Sequence, residues 1–126
     1  MSLRIAKAYG DTAVETAVTS SSSKELIILV YEKINDYLTL GKKELVLNQP
    51  GVEVFTKAVD LINLGLIASL DKTKGGEIAN NLEFIYLWSI NKIIEARLTR
   101  SPDKIDEVIK VLKPIQDGWI ALKDVK

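Results

Sequence analysis

The sequence contains no cysteine and no histidine. Without cysteine there is no disulfide framework, no thiolate metal site and no cysteine nucleophile. Without histidine the commonest general base and the commonest transition-metal ligand are missing. A Ser-His-Asp triad and the usual Glu-x-x-His di-iron site of helical bundles are therefore both excluded. An excess of one charge is lacking too, since 17 Lys plus Arg balance 17 Asp plus Glu. A protein that tracks nucleic-acid phosphates would concentrate basic residues. Long apolar runs are absent: the longest, Leu26 to Tyr31, has six residues, far short of a membrane span. Met1 to Lys24 lacks the central apolar block of a secretion signal. The expectation is a cytoplasmic protein with no membrane insertion, no nucleic-acid partner, no cofactor, no metal and no catalytic residue.

What is present is an apolar chain, 47% hydrophobic over 126 residues. That rules out disorder, which needs low hydrophobicity and high net charge. It fits one domain able to bury roughly two-thirds of the surface of its unfolded form. Strict apolar–polar alternation is missing, so strands are not expected. Asn48-Gln49-Pro50-Gly51, Lys74-Gly75-Gly76 and Arg100-Ser101-Pro102 punctuate the chain and leave four segments, each with helical period. Gly75-Gly76 lacks the further glycines of a phosphate loop and reads as a helix stop.

The first helix opens at a capping box, Ser22 with Glu25, and carries a seam of Ile27, Val30, Tyr31, Ile34, Tyr37, Leu38, Gly41 and Leu45. The second carries Phe55, Ala58, Val59, Ile62, Leu66, Ser69 and Leu70. The third carries Ile78, Ala79, Leu82, Ile85, Tyr86, Ser89, Ile93 and Ala96. The fourth starts at Ser101 and Pro102, and its seam is Ile105, Val108, Ile109, Leu112, Ile115 and Trp119. Pro114 inside it predicts a kink. The expected fold is all-α: an antiparallel four-helix bundle over residues 22–126, with residues 1–21 as an extended or partly helical arm of the same domain. The carboxylate pairs Asp103 with Glu107 and Asp11 with Glu15 read as solvated charge near helix starts or in the arm. The seam tyrosines read as core.

One pattern exceeds what a bundle needs. At about 100° per residue, Leu29, Leu40 and Leu47 line the side of helix one opposite its seam. Leu64, flanked by Ile67, does the same on helix two. Phe84, Leu87 and Leu98, with Trp88 nearby, do so on helix three, whereas the outer face of helix four is largely Lys, Asp and Glu. Scattered exposed apolar residues are ordinary. Otherwise the chain's own arm, a second copy of the chain, or another protein's amphipathic helix would cover them.

Several segments taken together resemble a known family. They are Ala8-Tyr9, Val14-Glu15-Thr16-Ala17, Glu25-Leu26-Ile27, Leu29-Val30-Tyr31, Lys57-Ala58 with Ile62, and Ser69-Leu70-Asp71. They continue with Gly75-Gly76-Glu77-Ile78-Ala79-Asn80-Asn81-Leu82, Tyr86, Asp106-Glu107-Val108 and Asp117-Gly118-Trp119. In order and spacing these resemble FliS, the flagellar export chaperones for flagellin, from about residue 5 to residue 121. The resemblance implies a cytosolic antiparallel helical bundle that binds the C-terminal segment of flagellin, prevents its premature polymerisation and keeps it export-competent. It would make Leu29, Leu40, Leu47, Leu64, Ile67, Phe84 and Leu87 client-binding residues. It would make Ile5 and Tyr9 of the arm a docking signal for the flagellar export gate, and it leaves room for a co-chaperone. The alternative is a self-associating bundle that uses the same faces as an oligomer seam. The chain departs from the family where Tyr-x-Tyr is usual, at Tyr86-Leu87-Trp88, and where Ala-Asn-Leu is usual, at Ala96-Arg97-Leu98. Pro114 and Gly118 are also unusual in the last helix.

Overall fold

The computed structural model describes residues 23–121, and all four of their regular segments are helical. The capping serine Ser22, the acid pair Asp11 and Glu15, and the arm residues Ile5 and Tyr9 lie outside the described residues. Helix α1 is Ser23–Val46. Helix α2 is Val52–Leu61 and continues as a π-helical turn, Ile62–Ile67. Helix α3 is Lys72–Thr99 and α4 is Pro102–Ala121. Helix α1 packs on α2 and α4, and α3 packs on α4 and on the α2–π segment. One buried cluster draws on all of them, with Tyr31, Ile34, Leu38, Phe55, Leu61, Ile62, Tyr86, Ile93 and Ile105 among its largest members.

The α1 seam includes a glycine because α2 sits directly on it. A Cβ on Gly41 would overlap the Phe55 ring, inside any allowed contact. A Cβ on Gly65, in the π turn, would stand 3.1 Å from Cγ1 of Val30. Both glycines face the α1–α2 contact, one from each side.

Helices α1 and α3 stop by the same device. Asn48 (φ 60°) and Arg100 (φ 55°) are left-handed non-glycine residues. The N–H of Gln49 donates to the Glu44 carbonyl and that of Asn48 to Leu45, a Schellman pattern. Ser101 to Ala96 and Arg100 to Arg97 repeat it. Arg100 Nη1 then donates to the Asn48 carbonyl at 3.1 Å and to its Oδ1 at 3.2 Å, so the C-terminal ends of α1 and α3 are tied together.

Two sequence expectations change. The second helix gives way at Ala68–Leu70, before Asp71, rather than at Gly75, and the Asp71 side chain caps α3 by accepting from the Lys74 N–H at 3.0 Å. The break expected at Gly75-Gly76 is present all the same, not as the end of α2 but as a division of α3 into a first turn, 72–75, and the long run that follows. Gly76 there takes φ 51° and ψ −124°, a region essentially reserved for glycine, and kinks the helix. Ile78, expected in the α3 seam, is 70% exposed, because the seam begins only at Ala79, after that kink. At Pro114, α4 stays helical on both sides of the ring and runs to Ala121. The ring stands on the exposed face, where the carbonyl it leaves without a partner can meet water.

Gly41→Ala gives an opposed pair of expectations. Helix propensity alone would stabilise by up to about 1 kcal/mol. The overlap with Phe55 predicts destabilisation instead, about 1–3 kcal/mol in urea unfolding. Gly41→Ala combined with Phe55→Leu should recover part of the loss. A Gly41→Ala variant more stable than the parent would disprove the contact.

Candidate docking surface

The strongest buried polar contact is an aromatic one. The hydroxyls of Tyr31 and Tyr86 share a hydrogen bond of 2.6 Å across the core between α1 and α3. Burial pushes both phenols above their ordinary value, and for Tyr31 the neighbouring Tyr86 hydroxyl adds to the rise. Ser89 donates to the Ile85 carbonyl at 2.9 Å, and Ser69 donates to the Gly65 carbonyl in the π turn. Among the described residues no buried side-chain polar atom lacks a partner. These groups are satisfied internally. Asp103 is exposed, and Glu107 lies 3.9 Å from Lys92. Among the described residues no group of three or more metal-ligating side chains comes together, and no helix is long and apolar enough to cross a membrane.

The Tyr31–Tyr86 bond also orients the surface. It joins the inner faces of α1 and α3 and leaves an off-seam apolar line on each helix. On α1, Leu40 (48%) and Leu47 (69%) are exposed. Val46 and Leu47, framed by Thr39, Lys42 and Lys43, form a shallow apolar hollow. Leu29 is half-buried and packs against the core. On α3, Phe84 (72%), Leu87 (48%) and Leu98 (71%) are exposed, and Ile94 (40%) joins them. The steps 84, 87, 91, 94 and 98 are alternating threes and fours, which makes one straight line. Sequence reading missed Ile94 because polar Asn91 interrupts the line and the adjacent Ile93 claims the seam.

On α2 the same reading fits less well. Leu64 is half-buried, and Ile67 packs against the core. The cause is the π turn, where Ala68 N–H donates to the Asn63 carbonyl five residues back. One added residue rotates the downstream side chains by about 100° relative to a straight helix. Of the seven candidates, Leu40 and Leu47 on α1 and Phe84 and Leu87 on α3 are exposed, while Leu29, Leu64 and Ile67 are half-buried. Between α2 and α3 lies a groove of about 210 Å³ lined by Phe55, Thr56, Val59, Ile93, Ile94 and Arg97.

Helix α4 is covered differently. Lys42 pairs with Asp106 at 2.7 Å, while Lys92 and Lys104 reach Glu95 at 3.2 and 3.6 Å. The hydrogen bond from Lys92, helped by the Lys104 charge, lowers the Glu95 carboxyl below its usual range. This edge is polar and ion-paired, unlike the exposed lines of α1 and α3.

A family model described as flagellar protein FliS matches residues 5–125. The chain belongs to the FliS family. Among curated FliS relatives, the flagellar secretion chaperone FliS of Salmonella typhimurium is 38% identical over 117 residues, which is 90% of this chain and 85% of that protein. The flagellar secretion chaperone FliS of Campylobacter jejuni is 33% identical over 101 residues, 78% of this chain and 77% of its own. The flagellar secretion chaperone FliSB of Pseudomonas aeruginosa is 28% identical over 93% of this chain and 94% of its own. The FliS match thus includes both exposed apolar lines and the groove.

The tyrosine pair predicts a pH dependence of stability. Both folded-state values lie above the unfolded value of 10.0, so the folded chain holds these protons more tightly. Their contribution is complete below pH 10 and is lost as the pH rises through the folded-state values. Urea midpoints should therefore fall from about pH 10 upward, and Tyr31→Phe combined with Tyr86→Phe should flatten that fall. The same slope in the double variant would exclude the pair as its source.

Proposed function

We propose that this chain is a cytoplasmic flagellar export chaperone that binds the C-terminal segment of flagellin, blocks its premature polymerisation and keeps it export-competent, without catalysis. The observation that carries this reading is the pair of exposed apolar lines, Leu40–Leu47 on α1 and Phe84–Leu87–Ile94–Leu98 on α3, in a member of the FliS family. The flagellin segment is an amphipathic chain that offers anchors at three and four spacing. Because the lines lie on two separate helices, one client that engages both wraps the chaperone rather than filling a single pocket. A long contact suits a disordered client, which must offset its ordering entropy. Leu29, Leu64 and Ile67 border this path and contribute their half-buried edges.

In the same reading, residues 22–126 form an antiparallel four-helix bundle with residues 1–21 as its arm. The short connections and the Asn48–Arg100 tie, which sets the ends of α1 and α3 side by side, support that arrangement. Ile5 and Tyr9 rest on the bundle until the client displaces them and then present themselves to the export gate. A co-chaperone is a further partner in this scheme.

Leu40→Asp, Leu47→Asp and Phe84→Asp should each weaken binding of the flagellin C-terminal peptide, by roughly tenfold or more for a central anchor. Helical circular dichroism should stay at the parental level because these side chains are outside the core. Unchanged affinity in all three would refute the assignment. A peptide-free mass above the monomer that the same substitutions abolish, with no peptide binding, would favour the self-associating alternative.

Amide exchange of residues 3 to 17 should speed up when the peptide is added. Slower exchange, or an arm deletion that leaves affinity unchanged, would rule out displacement.

A further inference from the structure

The groove between α2 and α3 is apolar except at one point. Phe55, Thr56, Val59, Ile93 and Ile94 line it, and Arg97 is its one charged lining residue. Arg97 is half-buried, and among the described residues it makes no ion pair. Its neighbours are engaged: Arg100 bonds Asn48, Lys57 pairs with Glu53 at 3.4 Å, and Lys92 pairs with Glu95 at 3.2 Å. A guanidinium presents five donors in a fixed fork that matches a carboxylate. In a partly desolvated apolar groove that match is worth more than on open surface.

We infer that Arg97 is a specificity-determining residue of the α2–α3 groove, selecting an amphipathic helical segment that carries an Asp or Glu side chain beside its apolar anchors. The acid belongs within the docked helix rather than at its chain end, because apolar surface continues beyond Arg97. Val52, in the first turn of α2, and Leu98, next along α3, are both exposed there. The apolar anchors fill the space over Val59, Ile93 and Ile94, and the acid one turn along meets the guanidinium. This fixes the direction and register of the docked helix, which apolar contacts alone leave open. The inference rests on the proposed chaperone reading and specifies the chemistry of one part of its path.

The test uses the full chain and two designed helical peptides, identical in their leucine anchors at three and four spacing. One carries Glu at the position facing Arg97 and the other carries Lys. The parent should prefer the Glu peptide by about fivefold at low salt, and the preference should shrink at high salt. Arg97→Glu should reverse the preference, a result that misfolding cannot produce. Equal binding of the two peptides by the parent, binding of neither, or an unchanged preference in Arg97→Glu would overturn the inference. The flagellin C-terminal peptide is measured alongside. If it binds the parent while the designed pair shows no charge preference, only the role of Arg97 fails. If it does not bind, the chaperone reading fails, and a charge reversal with the designed pair would still stand for the groove.

Discussion

The rest of the molecule is arranged around the close seating of α2 on α1. Phe55 lies where a side chain at position 41 would otherwise be, and Val30 lies against Gly65. A ring pressed onto bare backbone makes many dispersion contacts at once, each small and together large. It also ties the geometry to Gly41, where an added Cβ would overlap the ring, and to Gly65, where one would crowd Val30. With α2 held this way, the span from α2 to α3 is closed less completely, and the groove that ends at Arg97 lies on that side. The tyrosine bond then joins α1 to α3, and the ion pairs of Lys42, Lys92 and Lys104 border α4.

Polar contacts define the ends and the interior, and apolar burial supplies the bulk. The Tyr31–Tyr86 bond contributes only about 1 kcal/mol net, since each hydroxyl gives up water to make it. Leaving either hydroxyl unpaired in the core costs more than the bond yields, so the two residues specify each other. Asn48 and Arg100 act similarly at the surface. Each holds a backbone conformation that costs a non-glycine residue energy, and their mutual hydrogen bonds offset part of that cost.

Much of this was legible in the sequence. The seams of α1 and α4 follow from residue spacing, and Gly41 belongs to its seam as the periodicity requires. The exposed leucines of α1 and the Phe84 line stand out because a bundle helix needs only one apolar face. What was not legible depends on backbone departures that the side-chain pattern does not encode. Periodicity assumes a constant rotation per residue, and the π turn at Ile62–Ile67 violates it, so Ile67 turns toward the core. Paired glycines signal a break but not its kind: Gly76 bends a helix that continues on both sides, while Asp71 does the capping. Ile94 was hidden by Asn91, a polar residue inside an otherwise apolar line. Arg97 was visible as a departure from the family pattern, but only the fold places it at the edge of an apolar groove.

The two tryptophans are both half-buried and both pack against the core, but on different helices and with different neighbours. Trp88 is half-buried beside the exposed line of α3, with Lys92 Nζ 5.6 Å from its ring centre. Trp119 packs against the core near the end of α4, on a different helix from those that form the α2–α3 groove. Indole emission depends on local polarity and on nearby charge. The protein therefore carries its own optical pair: one fluorophore beside a candidate contact line and one on the helix with the polar, ion-paired edge. A helix laid along α3 would drive water from Trp88 and shift the Lys92 ammonium, while Trp119 kept its colour. Replacing each tryptophan by phenylalanine in turn would separate the two signals and let occupancy of the α3 face be followed in real time without a label.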